Sequence, residues 1–293
     1  MDGRAEIDQA ETIIGRDMLA GLGRPGGYAD QLAKSHFLRE KLLVEAIGRL
    51  GPSPGSRGLD AGCGIGLPAL LLARAVGPSG RVVGLDASEE LLDCARRLAD
   101  RSGLAERLDF RQGDINHPPF EPASFDWLIS IDCAGYAPSE SPAFLIENLT
   151  RLVRPGGWLA VMAWTSQQLL PGHPELEARL NATRAGLAPF RPFDPPSRHF
   201  LNGLGWFRQA GLDDARAKTL IGEASSPLSP DLREALLSLF DMRWGRAGSE
   251  LPEDIRREYE KLVRPDSPGF ILDRTDYYAF FTYTLFQGRV PAR

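Results

Sequence analysis

The segment GLDAGCGIGLPALLLARA (58–75) constrains this chain more than any other. A short apolar strand runs into Gly62-Cys63-Gly64-Ile65-Gly66 and then directly into a helix. Glycines there allow a tight turn and let a ligand reach bare backbone. Pro68 falls in the first helical turn, where its missing N–H is tolerated. The helix start offers N–H groups without internal partners. Asp86 follows Gly66 by 20 residues, at the end of the next predicted strand. An acidic side chain there can accept hydrogen bonds from both hydroxyls of a ribose. A glycine loop alone could be only a tight strand–helix turn. Strand, loop, helix and spaced acid together indicate a nucleoside site.

Around this segment short apolar strands alternate with amphipathic helices, the signature of a parallel α/β sheet. Strands are expected at 58–61, 81–86, 108–112, 126–131 and 158–164, with helices near 67–76, 89–102 and 142–153. Ser88 can cap the helix at 89–102, with Glu89 and Glu90 at its positive end and Arg96, Arg97 and Arg101 toward its negative end. Leu91, Leu92, Ala95, Leu98 and Ala99 fall on one face of it. Ahead of the core, residues 1–27 read as weakly ordered and 28–50 as a helix, which GPSPGSRG (51–58) ends. After Trp164 the alternation loosens. Residues 166–199 hold one short helical pattern at 175–186; a helix at 200–210 and a strand at 215–222 follow, then two helices within 229–264 and a last strand at 277–287. The second of those helices carries an exposed Glu253–Arg257 pair.

The net charge is -5 and there is no run of Lys or Arg, which argues against a nucleic-acid partner. Cys63, Cys94 and Cys133 form no zinc-like cluster, and no metal-ligand constellation is visible. This cysteine usage predicts a reducing, cytoplasmic setting. The polar N-terminus has no signal-peptide pattern and the most apolar stretch, 67–76, is too short to span a bilayer, so no membrane association is expected. A homodimer is compatible with the sequence, which does not set the oligomeric state.

Five segments in chain order resemble the class I methyltransferase family, in its small-molecule branch. LDAGCGIG is similar to the first motif, GLDAS (84–88) to the second strand end, and QGDI (112–115) to the third; FDWLISID (125–132) resembles the fourth strand and RLVRPGGWLAV (151–161) the helix, turn and fifth strand. The likeness is close over about residues 55–165 and loose beyond. It implies S-adenosylmethionine as cofactor. Asp60 and the backbone of Gly62, Cys63 and Gly64 would hold the methionine end. Asp86 would bind the ribose, with Ala87 beside the adenine. Asp114 would accept from the adenine amino group and Ile115 would meet the ring. A carbonyl near Ser130 or Ile131 would face the methionine amino group, and Tyr28 or His36 could close over the donor. A cationic sulfonium suits acidic groups such as Asp60 better than it suits a pyrophosphate loop. Cys63 reads as a packing residue.

Direct displacement from a sulfonium needs alignment and exclusion of water, and a base only for a protonated acceptor. Asp132, after the fourth strand, is the first catalytic candidate, with a loop or cap role as the alternative. His173 could be a base or a surface histidine. Tyr136, Trp164 and Thr165 could line an acceptor pocket. The insertions 166–199 and 229–264, with Phe190, Phe193, Phe240 and Trp244, would form either a lid over it or a satellite core. NHPPF (116–120) faintly resembles a motif of nucleic-acid amino methyltransferases, but His117 interrupts it and it follows the third strand rather than the fourth.

The expected fold is α/β: a Rossmann-like, seven-stranded, mostly parallel sheet with helices on both faces and a helical cap from the insertions. The expected division is an N-terminal helical segment (1–50), a cofactor-binding core (51–165) and a remainder completing the sheet (166–293). The expected activity is methyl transfer to a small organic acceptor on O, N, C or S. The alternatives are a nicotinamide-dependent oxidoreductase, a non-catalytic donor-binding protein and a protein-methylating enzyme.

Overall fold

The computed structural model describes residues 13–136, 141–191 and 194–292. Seven strands form one sheet: β1 (Arg57–Ala61), β2 (Arg81–Asp86), β3 (Leu108–Gln112), β4 (Phe125–Ile131), β5 (Val153–Gln168), β6 (Asp213–Ser225) and β7 (Tyr278–Arg289). Their order is β3-β2-β1-β4-β5-β7-β6. The first five are parallel, and β7 runs antiparallel to both neighbours. From β1 the chain builds one half toward β3 and then returns to place β4 on the other side. The order reverses between β1 and β4, and the crevice beyond their carboxyl ends is where ligands bind in such sheets.

Ten helices flank the sheet among the described residues: α1 (Arg16–Leu19), α2 (Tyr28–Leu50), α3 (Leu67–Ala75), α4 (Glu89–Arg101), α5 (Pro142–Thr150), α6 (Pro174–Asn181), α7 (Arg184–Leu187), α8 (Gly203–Gln209), α9 (Pro230–Trp244) and α10 (Glu253–Val263). A central parallel strand is apolar toward both layers. In β4, Trp127, Ile129 and Ile131 join the core under α2, α3 and α4, while Phe125 and Leu128 join the core under α5 and α8. Fully burying a leucine such as Leu70 of α3 contributes about 1.5–3 kcal/mol.

α4 forms as its sequence predicts. Ser88 accepts from the Leu91 N–H at 3.3 Å, and Leu92, Ala95, Leu98 and Ala99 are buried. The Glu253–Arg257 pair forms on α10. Other expectations need correction. Residues 13–27 carry a short helix, α1, packed near α4; Arg101 of α4 donates to the Met18 carbonyl at 2.9 Å. The pattern at 175–186 is two helices, because Thr183 caps a new one by accepting from the Gly186 N–H at 3.0 Å. The segment 200–210 opens with a tighter 3₁₀ turn at Phe200–Asn202. β5 does not end at Trp164 but continues to Gln168, carried by pairing with β7 through a bulge between Trp164 and Ser166. Bulges of this kind re-aim side chains beside functional sites.

Candidate active site

The first cavity, about 200 Å³, lies at the reversal point of the sheet. Its floor is the Gly62–Ile65 loop, and Asp86, Ile131, Asp132 and Cys133 stand at its sides. Tyr28, Leu32 and Arg39 of α2 cover it. Tyr28 stands at the rim with 60% of its surface exposed.

Asp86 organises the loop. Its Oδ2 accepts the Gly64 N–H at 2.8 Å and its Oδ1 accepts the Ser88 N–H at 2.9 Å. Each oxygen retains acceptor capacity for a further donor. Gly64 has φ +55, and a Cβ built on it would meet only Leu32 Cδ1, at 3.5 Å. The space above this glycine is therefore left for a ligand. Gly62 has φ +82, and a Cβ there would lie 2.2 Å from Cys133 Sγ, so the turn needs glycine for packing as well as for conformation.

Asp60 is fully buried beneath the floor rather than on the wall, and neither carboxylate oxygen has a hydrogen-bond partner. The Ala69 N–H opposes the effect of burial on this carboxyl but does not reach hydrogen-bond geometry. Burial, reinforced by the Asp86 charge, pushes its carboxyl up to about 8. An orphaned acid directly beneath a cavity floor is the kind of perturbed group that clusters at functional sites. Burial also pushes the Cys133 thiol up to about 12 and the Cys63 thiol upward, so both behave as packing groups.

Asp132 holds the far side. It adopts φ +51, in the left-handed region. Its Oδ2 accepts from Arg39 Nη1 at 3.1 Å and from the Tyr283 hydroxyl at 2.8 Å, and its Oδ1 accepts the Trp164 N–H at 3.1 Å. Three of its roughly four acceptor sites are taken. It is built as a junction of α2, β5 and β7 more than as a free base.

Several expected residues stand elsewhere. His36 is fully buried inside the α2 packing, with Nε2 3.2 Å from Glu40 Oε1, and does not reach the cavity. Ser130 is also fully buried; its hydroxyl donates to the Ala61 carbonyl at 2.7 Å and accepts the Ala134 N–H at 3.0 Å. Ile131 does line the cavity. Ala87, Asp114 and Ile115 lie outside its wall, beyond the ends of β2 and β3. The Ala87 carbonyl accepts from Gln112 Nε2 at 3.0 Å, and Ile115 is buried. Asp114 is exposed, and its Oδ1 accepts the Asn116 N–H at 2.8 Å. That bond holds its carboxyl below the usual range.

A second cavity, about 310 Å³, adjoins the first and is lined by Tyr136, Trp164, Thr165, Gln167, Phe190 and Arg243 among others. Two hydrogen bonds join the two walls: the Trp164 N–H donates to Asp132 Oδ1, and the Tyr136 N–H donates to the Cys133 carbonyl at 2.8 Å. Tyr136 donates its hydroxyl to the Trp164 carbonyl at 2.8 Å, and burial pushes that phenol far above its ordinary range. Thr165 Oγ1 lies 2.9 Å from Thr282 Oγ1 across the β5–β7 bulge. Phe240 and Trp244 do not line this cavity. They are buried and stacked in the apolar core, with ring centroids 6.1 Å apart. At four-residue spacing on α9 they follow the buried stripe. His173 lines neither cavity; its Nδ1 lies 3.1 Å from Glu258 Oε1 at the start of α6. Phe193 lies outside the described residues. Arg39, Tyr283, Gln167 and Arg243 carry no local sequence signal, since each acts through partners distant in the chain. No group of three or more metal-ligating side chains occurs among the described residues, and no described helix is long and apolar enough to cross a membrane.

The family described as methyltransferase domain matches residues 59–157. The methyltransferase GfsG of Streptomyces halstedii is 34% identical over 237 residues, covering 80% of this chain and 78% of that protein. The sterol 24-C-methyltransferase ERG6B of Gibberella zeae is 30% identical over 234 residues, covering 75% of this chain and 58% of that protein. This chain spans about half the length of some of the curated relatives that it matches. Among solved structures, the geranyl diphosphate C-methyltransferase of Streptomyces coelicolor A3(2), in complex with Mg2+, geranyl diphosphate and S-adenosyl-L-homocysteine, superposes with a TM-score of 0.51 at 18% identity, over 94% of this chain and 88% of that one. At that identity the likeness speaks for the fold.

Proposed function

The chain belongs to the class I S-adenosylmethionine-dependent methyltransferase family, and from that premise we propose that it moves the donor's methyl group to a small organic acceptor. The observation that carries the reading is the Gly64–Asp86 pairing over an open floor with the buried Asp60 beneath it. The residues fit the donor. Open space above Gly64 suits close approach of a ligand, and the Asp86 carboxylate on the cavity side suits a cationic molecule without phosphate. A dinucleotide would ask for free N–H groups at the start of α3, where Pro68 has none to give.

When bound, the donor would supply an electrophilic methyl group to the acceptor's nucleophilic atom, its sulfur keeping the bonding pair as a neutral thioether. The chain's own residues bind, orient and exclude water. Asp86 would receive the ribose hydroxyls on the lone pairs that Gly64 and Ser88 leave free. Tyr28 and Leu32, from the N-terminal helical segment, close over the donor. Asp132 fixes Arg39, Tyr283 and the Trp164 backbone, and so sets the wall between donor and acceptor. It acts as a positioning residue. Alignment of this kind, with water excluded, supplies most of what a displacement requires. The net charge of -5 supports a small-molecule acceptor over a nucleic acid. An enzymatic test follows directly: incubation with labelled S-adenosylmethionine and an acceptor panel, with formation of S-adenosylhomocysteine as the readout. Donor binding without turnover on any acceptor would favour the non-catalytic reading.

A further inference from the structure

The second cavity holds an unbalanced charge. Arg243, near the end of α9, lines it, and no carboxylate stands among the described residues of the wall. Arg243 Nη2 donates to the Gly186 carbonyl at 2.8 Å and Nη1 to the Ala188 carbonyl at 3.4 Å, while its Nε is buried without a partner. Burial lowers this guanidinium from its ordinary value, and the Tyr136 and Tyr283 hydroxyls oppose that shift. Among the described residues this half-buried guanidinium has carbonyls for hydrogen-bond partners and no carboxylate on its wall, which suits it to an anion.

Two other buried atoms on the same wall lack partners, Trp164 Nε1 and Gln167 Oε1. Chemistry fixes the identity of the second. The Trp244 indole can only donate, and it reaches Asn181 at 3.1 Å, so the atom facing it is the Asn181 oxygen. That oxygen also receives Gln167 Nε2 at 3.2 Å. The oxygen of Gln167 is therefore its free end. The wall thus presents one cation, and just behind its surface lie one neutral donor and one neutral acceptor without partners among the described residues. Flat apolar surface completes it. Trp164 stacks on Phe281 with centroids 4.7 Å apart, and Phe190 stacks on His199 at 4.9 Å.

We propose that this cavity is the acceptor site and takes a small planar carboxylic acid, with its carboxylate on Arg243 and its ring against Trp164 and Phe190. The assignment rests on the methyl-transfer reading above. A single guanidinium with no lysine on the described wall suits a monoanion better than a phosphate dianion. The position of the cavity suits transfer, because the Trp164 N–H binds the Asp132 that walls the donor cavity.

The test is calorimetric titration with 2-naphthoate, 2-naphthamide and 2-naphthyl phosphate, with and without saturating S-adenosylhomocysteine. The acid should bind about tenfold or more tightly than the amide, as a charged hydrogen bond implies. Arg243→Gln should abolish that preference and leave S-adenosylhomocysteine affinity unchanged, and Arg243→Lys should restore part of it. Equal affinity for acid and amide, or a preference that survives in R243Q, overturns the assignment. So does tighter binding of the phosphate. The wild-type comparison needs no variant and stays decisive if R243Q fails to fold. Loss of S-adenosylhomocysteine binding in the wild type with the acid preference intact would sink the donor reading and leave the carboxylate site standing.

Discussion

Tyr283 donates its hydroxyl to Asp132 Oδ2 at 2.8 Å, across 151 positions of sequence. The same oxygen receives Arg39, and the Asp132 backbone is left-handed at φ +51. Aspartate tolerates that region better than most residues. Tyr283→Phe should cost about 1 kcal/mol of stability, the net worth of one hydrogen bond. Asp132→Ala should cost about 3–5 kcal/mol, because it leaves the Arg39 charge unpaired in a buried setting. Urea denaturation of both variants measures this. An Asp132→Ala protein as stable as the wild type would contradict the junction role.

Asp86 is the residue on which donor affinity should turn most sharply. Asp86→Ala should weaken S-adenosylhomocysteine binding by about 1–3 kcal/mol through loss of charged hydrogen bonds. The loop should loosen as well, since the Gly64 and Ser88 N–H groups lose their acceptor. Unchanged affinity by calorimetry would remove Asp86 from the donor site.

Gly64 separates folding from binding. Gly64→Ala meets only Leu32 Cδ1, at an ordinary contact distance of 3.5 Å, so its folding cost is about 1–2 kcal/mol for the left-handed backbone. Its methyl group would occupy ligand space, and donor affinity should fall about tenfold or more. Thermal unfolding and calorimetry on the same sample read both quantities. A destabilised variant that binds the donor normally would contradict the cavity assignment.

Asp60 makes the ligand-free protein sensitive to pH. Its folded carboxyl titrates at about 8, against 3.8 for the ordinary value. Between those values the folded state binds the proton that the unfolded state has released. Stability from this group is therefore full below about pH 4 and is lost progressively as pH rises toward 8. Asp60→Asn should flatten that part of the profile and make the ligand-free protein more stable than the wild type at pH 8. Parallel stability–pH curves for the two proteins would contradict this.

How much of this was legible in the sequence depends on distance along the chain. The β1–loop–α3 unit, Asp86 and α4 are written in local signals: glycines, a first-turn proline, a serine cap and acids at the helix start. The five strand ends follow in order, so the sheet could be read as well. The acceptor side could not. Arg39 and Tyr283 meet Asp132 from 93 and 151 positions away. Arg243 is notable for the carboxylate that the described wall lacks, and no sequence displays such a lack. Phe240 and Trp244 read as lid aromatics, yet their four-residue spacing on α9 put them in the core. Polar Ser166-Gln167-Gln168 read as the start of the first insertion, and only pairing with β7 makes it strand. His173 was attractive for its chemistry alone, and the fold seats it beside Glu258 instead.

Calorimetric titration of the purified protein with S-adenosylmethionine, S-adenosylhomocysteine and NADH tests the central claim most directly. The account predicts saturable binding of both adenosyl compounds and no binding of NADH. Binding of NADH without either adenosyl compound would contradict it and turn the glycine loop into a dinucleotide site.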